Sequence, residues 1–191
     1  MAKSRLGMII GITGTDGAGK GTVVEYLVTE HGFRHYSARD FILEHIRAAG
    51  LPETRNQMRL TANELRATYG NEFVVRQAYQ KATKEQAQKV VIESIRATAE
   101  AEYLKAHGGI LLAVDADQAL RFERVQARRS SSDQVTFAEF VAHEELEKND
   151  PDPNGMQKAK VIEMADAVIM NNASTTELHQ AVEAFLTQRS I

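Results

Sequence analysis

The residues best suited to chemistry are Gly14-Thr15-Asp16-Gly17-Ala18-Gly19-Lys20-Gly21-Thr22. Gly14, Gly17 and Gly19 lack a Cβ, so the backbone can turn with positive φ and approach an anion closely. Successive N–H groups, with Ala18 and Gly21 adding no bulk, then point inward as a nest, and a helix starting there adds its positive end. Lys20 supplies a point charge for outer phosphates. A Ser or Thr usually follows that lysine and holds Mg²⁺; here Gly21 stands there and Thr22 comes one later. Asp16 can meet an acceptor or the metal, or hydrogen-bond its own turn. An apolar run at 8–13 precedes the segment and a helical pattern at 23–30 follows it, the context that makes a phosphate-binding loop credible. The expected ligand is a nucleoside triphosphate.

Further constellations stand beside it. Arg121, Arg124 and Arg128 recur at i, i+3 and i+7, on one helical face, and Ser130-Ser131-Ser132-Asp133 follows as a polar loop. Such a row is either a solvated face or a set of guanidinium donors for a migrating phosphoryl group. Beside a phosphate loop the second reading is favoured, with Arg124 and Arg128 acting on transition-state charge as residues 121–135 close as a lid. Ser37, Arg39 and Asp40 follow the second apolar run, and Glu93 and Arg96 follow the third. Arg39 or Arg96 can hold the phosphate of a second substrate, and Arg39 can instead pair with Asp40 or Glu44. Glu93 can hold Mg²⁺ through water or merely end a strand. The six histidines show no metal-ligand spacing.

Five short apolar runs, at 8–13, 33–37, 89–92, 110–114 and 167–170, each precede a helical pattern. Near-continuous apolar strands alternating with helices predict a parallel sheet covered on both faces, an α/β fold. Residues 38–88 interrupt the alternation with three predicted helices, at 40–49, from a capping box at Thr61-Ala62-Asn63-Glu64 to Gly70, and at 72–82. They read as an inserted lobe at the carboxyl edge of the sheet, where ligands sit in open α/β folds. Further capping boxes at Thr136–Glu139 and Ser174–Glu177 open later helices, and residues 150–155 are a dense turn segment. The 191 residues suit one domain, 1–191, and 43% hydrophobic content supports a substantial core. A net charge of −3 argues against a broad nucleic-acid surface, and the absence of cysteine permits a reducing compartment. No run approaches the roughly 18 apolar residues of a membrane span, and the first seven residues lack the apolar core of a signal peptide. A cytoplasmic protein without membrane or nucleic-acid partners is expected.

The segment 14–22 resembles the phosphate loop of the nucleoside-monophosphate kinases. Its Gly-Lys-Gly-Thr ending is that of adenylate kinases, and Thr-Asp-Gly-Ala-Gly-Lys is similar to thymidylate kinases. Ser37-Ala38-Arg39-Asp40 resembles their acceptor-contacting segment. Val91-Ile92-Glu93-Ser94-Ile95-Arg96 looks like their hydrophobic-hydrophobic-Asp-Gly-x-Arg motif. Residues 165–172, Ala-Asp-Ala-Val-Ile-Met-Asn-Asn, resemble the end of dephospho-coenzyme-A kinases, and a group of archaeal kinase-like proteins is similar across nearly the whole chain.

The resemblance implies a five-stranded P-loop NTPase fold with an acceptor lobe and a lid. It implies transfer of the γ-phosphate of ATP, with Mg²⁺, to a nucleoside monophosphate or dephospho-coenzyme A. Arg96 would then contact the acceptor phosphate, and the loop at Asn171–Ser174, with Asn172 as its ATP-binding residue, would lie near the adenine. The chain departs from the pattern at Arg39, Leu43, Glu93 and Ser94, all in the acceptor half. A degenerate kinase serving as a nucleotide-dependent switch or regulatory ATPase is the alternative. The guanine-reading Asn-Lys-x-Asp motif that would favour a switch is absent.

Overall fold

A computed structural model of the protein describes residues 7–128, 135–148 and 150–189. Its strands are β1 (Met8–Gly14), β2 (Arg34–Ser37), β3 (Lys89–Glu93), β4 (Ile110–Asp115) and β5 (Ala167–Met170). They form one parallel sheet in the order β2-β3-β1-β4-β5. The five apolar runs therefore became five strands, each within a residue or so of its predicted bounds. β1 at the centre is buried on both faces. Ile10 and Ile12 pack on one side with Val23, Leu27, Val182 and Phe185 from α1 (Lys20–Thr29) and α9 (Thr175–Gln188). Ile9 packs on the other with Val90, Ile92 and Leu111, covered by helices α4 (Phe73–Lys84), α5 (Thr98–Ala106) and α8 (Lys158–Glu163). A side chain at Gly11 would strike Leu104 and Ile95, so close helix–sheet packing requires glycine there.

The pairing aligns the carboxyl ends of the strands. Ile12 lies opposite Glu93, Ser37 opposite Glu93 and Gly14 opposite Val114. Everything that follows a strand is thus delivered to one edge.

Three helices, α2 (Ala38–Ala48), α3 (Arg55–Tyr69) and α4, stand between β2 and β3, as predicted. The capping box at Thr61 is a correction. The helix starts seven residues earlier, where Thr54, in extended conformation, accepts from Gln57 N at 3.1 Å. Thr61 is a buried residue inside α3, accepting from Gln57 Nε2. A Thr-x-x-Glu spacing is one helical turn, so it also arises within a helix. α6 (Gln118–Ala127) ends before Arg128, and α7 (Phe137–Lys148) opens with the predicted Thr136–Glu139 box. The loop 130–133, expected as part of a lid, lies outside the described residues. The box Ser174–Glu177 caps α9 as predicted. α8 was not predicted, because six residues after a turn-rich segment carry too little periodicity. Among the described residues no helix is long and apolar enough to cross a membrane.

Candidate functional site

The segment 14–22 leaves β1 and enters α1 as a compact loop. Gly14, Gly17 and Gly19 have φ of 129°, 82° and 98°, all left-handed. Each is also confined: a Cβ would fall 1.9 Å from Val114 O at Gly14, 2.4 Å from Arg121 O at Gly17 and 2.4 Å from Asn171 Nδ2 at Gly19. Gly21 faces open space, so the first turn of α1 can approach a ligand. The loop is braced by neighbours. Asn171 donates to Ala18 O at 2.8 Å, Thr15 donates to Asp115, and Arg121 donates to Asp16 O at 3.3 Å. Ala18 is fully buried beneath.

A cleft of about 720 Å³ opens over this loop. Asp16, Gly17, Gly19, Lys20, Gly21 and Thr22 line one end, with Arg124 and Arg128 beside them. Arg39, Ile42, Met58, Ala62 and Val74 from the inserted helices also line the cleft, with Arg59 and Arg66 from α3 and Arg55, which reaches the loop at Asp16. Glu93, Ser94 and Arg96 complete the lining. Eight lysines and arginines thus face three acids, Asp16, Glu93 and Glu147, in a chain whose net charge is −3. The surplus makes the cleft a binding site for polyanions.

The charges are unevenly paired. Lys20 Nζ donates to Gly14 O at 3.1 Å and Thr15 O at 2.6 Å and stands 3.8 Å from Asp16. Burial, with Lys158 and Arg96 nearby, depresses its pKa to about 8 against the opposing pull of Asp16 and Glu93. Burial would raise Asp16, but Lys158, Lys20, Arg96 and Arg55 outweigh it and hold the carboxyl well below its usual value. Arg59 pairs with buried Asp150 at 3.2 Å, and Arg66 with buried Glu100 at 2.8 Å. Arg39, Arg96 and Arg128 have no carboxylate partner among the described residues. Arg96 donates to Met156 Sδ at 3.3 Å while its charge helps lower the pKa values of Asp16 and Glu147, and Arg124 donates to Asn171 O at 2.9 Å.

Two expectations met a different geometry. Ser37 caps α2 by accepting from Asp40 N at 3.1 Å, and both residues line a separate groove with Tyr36, Phe41 and Glu44 rather than the cleft. Of the loop 171–174, Asn171 and Ala173 face the cleft, whereas Asn172 exchanges hydrogen bonds with Asp117. Arg121, first of the arginine row, is buried: it donates to Ala116 O at 2.8 Å and pairs with Glu144. It holds the loop in place, whereas Arg124 and Arg128 line the cleft. Arg39 makes no ion pair with Asp40 or Glu44 among the described residues. Leu43 packs in the core; where the resembled pattern has an arginine, α3 brings Arg55 and Arg59 to the cleft instead.

Ser94 has φ of 67°, a left-handed conformation that glycine adopts freely. The turn after β3 thus keeps the backbone form of the resembled Asp-Gly motif without its glycine, at a cost on the order of 1 kcal/mol. Glu93 is held by His35 at 3.4 Å, and this contact lowers its pKa. The hydroxyl of Thr22 and the carboxylate of Glu93 are oxygen donors on one cleft, the ligand type Mg²⁺ takes. No group of three or more His, Asp or Glu gathers among the described residues. Sequence reasoning missed Arg55, Glu147 and Lys158, which surround Asp16. No local spacing links positions 16, 55, 147 and 158.

The loop, the parallel sheet and the cationic cleft define a P-loop NTPase fold of kinase-like type. The chain belongs to the AAA domain family, whose model matches residues 10–172, and to the UPF0200 proteins. The UPF0200 protein of Staphylothermus marinus is 31% identical over 176 residues, covering 90% of this chain and 87% of the relative. That of Thermococcus sibiricus is 29% identical over 182 residues, covering 92% of each. Among solved structures, TT1252 from Thermus thermophilus superposes with a TM-score of 0.64 at 22% identity, covering 96% of this chain and 98% of that one. Shikimate kinase from Bacteroides thetaiotaomicron superposes with a TM-score of 0.65 at 13% identity, covering 96% and 99%. At such identities the likeness is one of fold.

Proposed function

We propose that the protein is an ATP-dependent phosphotransferase that moves the γ-phosphate of ATP to a small phosphorylated acceptor, a nucleoside monophosphate or dephospho-coenzyme A. One observation carries the reading: a single cleft holds both a phosphate loop and two arginines, Arg39 and Arg96, that no carboxylate approaches within ion-pair distance among the described residues. The loop N–H groups and Lys20 hold the ATP phosphates. Thr22 and Glu93 would hold Mg²⁺, which neutralises phosphate charge when bound. Arg39 and Arg96 grip the acceptor's own phosphate, and Ile42, Met58, Ala62 and Val74 receive its apolar part. Arg124 and Arg128 stand beside the phosphate loop, where charge spreads over the migrating group. Residues 1–191 act as one kinase domain, with 38–88 as acceptor lobe and 121–135 as lid.

The test is ADP release from Mg-ATP with a panel of nucleoside monophosphates and dephospho-coenzyme A. Release that requires one acceptor supports the kinase. Release independent of every acceptor would favour the regulatory ATPase, a reading kept open by Glu93 in place of the motif's aspartate.

A further inference from the structure

Asp16 presents a problem for any nucleotide bound at this loop. Its carboxylate lies in the loop, 3.8 Å from the ammonium that must meet the outer phosphates. A Lys20–Asp16 pair would consume that charge. The structure directs Asp16 elsewhere. Its Oδ2 pairs with Arg55 of α3. Its Oδ1 lies 3.1 Å from Lys158 Nζ, nearer than Lys20. Lys158 also pairs with Glu147 Oε2, and Glu147 Oε1 lies 3.4 Å from Arg55 Nε. The contacts close into a ring of Asp16, Lys158, Glu147 and Arg55, two anions and two cations, formally neutral.

Lys158 is buried, with a side chain 8% exposed, and does not line the cleft. Its backbone is fixed by Gln157 N donating to Arg96 O at 2.8 Å. It therefore acts on a ligand through the cleft carboxylates it holds, Asp16 in the loop and Glu147 beside it. Lys20, left outside the ring, spends its protons on two backbone carbonyls, Gly14 O and Thr15 O.

We propose that Lys158 is a positioning residue of the phosphate loop: by engaging Asp16 in a neutral ring it keeps Asp16 from closing fully on Lys20 and leaves more of that charge for the outer phosphates of a nucleotide. The inference rests on the nucleotide-binding reading above.

The experiment measures Mg-ATP dissociation constants by titration calorimetry for the wild type, Lys158→Met, Asp16→Asn and the double variant, with circular dichroism to check folding. Lys158→Met frees Asp16 to capture Lys20, and ATP affinity is expected to fall about tenfold. The double variant should bind ATP within about twofold of Asp16→Asn, since Lys158 then has no loop carboxylate to restrain. A purely structural lysine would not give that rescue.

A second readout is the alkaline limit of ATP affinity. Lys20 is faced by Asp16 from its own loop, Lys158 from α8, and Glu93 and Arg96 from β3 and its following turn. Removing Lys158 takes away a like charge, so Lys20 keeps its proton to higher pH and the limit moves up.

Affinity for Lys158→Met within about twofold of wild type, with an unmoved alkaline limit, overturns the proposal. So does a tenfold loss on adding Lys158→Met to Asp16→Asn. If the single variant does not fold, that last comparison decides alone. A wild type that binds no ATP overturns the nucleotide reading and this inference with it; a wild type that binds ATP confines the failure to Lys158.

Discussion

Lys20 is both the residue meant for phosphate and a buried amine whose pKa is depressed to about 8 by burial and by neighbouring Lys158 and Arg96. A phosphate chain attracts only its charged form. ATP affinity should therefore be full below about pH 8 and weaken as pH rises through that value, with proton uptake on binding above it. Calorimetry between about pH 6.5 and 9.5 in buffers of different ionisation enthalpy tests the pKa assigned to Lys20. A flat profile across that range would remove Lys20 from the phosphates. Arg124 and Arg128 belong to the same scale. Alanine at either should lower kcat and kcat/KM together with little change in the ATP dissociation constant. For the better placed of the two the loss could reach about 10³-fold. Lysine should restore little, because a point charge lacks the paired donors of the guanidinium fork. Steady-state kinetics of both alanine variants with kcat within about twofold of wild type would return the pair to the role of a solvated face.

Between elements, α3 is fastened to the phosphate loop, α5, α7 and the turn at Asp150 by ions rather than by apolar contact alone. Arg55, Arg59 and Arg66 recur along one face of α3 and meet Asp16 and Glu147, Asp150, and Glu100 respectively. The Arg66–Glu100 pair is the deepest, with side chains 2% and 1% exposed. Glu100 also accepts from Arg96 N at 2.8 Å and Ala97 N at 3.1 Å, so it closes the start of α5. Glu100→Ala would bury an unpaired guanidinium and free two N–H groups, costing about 3–5 kcal/mol. At about 2–4 °C per kcal/mol for a chain of this size, melting should fall by roughly 10 °C. Because Arg96 is anchored through the same carboxylate, the proposed acceptor contact should loosen too. Thermal melting that drops by less than about 2 °C would show the pair to be dispensable.

Over the whole molecule, charge is segregated rather than abundant. A chain of net charge −3 concentrates eight cations against three acids in one cleft. Its attraction for a triphosphate is then largely Coulombic and screened by salt. Raising NaCl from about 0.05 to 0.5 M should weaken ATP binding by roughly tenfold, and inorganic tripolyphosphate should compete with ATP. An affinity indifferent to salt, measured by the same titration, would mean that shape and apolar contact hold the nucleotide instead.

The sheet was legible residue by residue because a strand buried on both faces must be apolar almost without interruption, as Ile9, Ile10 and Ile12 are. The phosphate loop was legible because its geometry is local: three glycines in six residues reach positive φ whatever packs around them. Both are properties of adjacent residues. The start of α3 was not, since Thr54 and Thr61 offer the same capping chemistry and only packing buries one of them. Nor was the division of the arginine row, in which Arg121 turns to Glu144 from α7 while Arg124 and Arg128 face the cleft. The ring of Asp16, Arg55, Glu147 and Lys158 draws on four distant segments, as does the choice of Asn171 over Asn172 to brace Ala18. Spacing along a chain determines what one loop, helix or strand presents. Which charges then neutralise each other, and which are left for a ligand, depends on how separate elements pack, and that was decided only in the folded molecule.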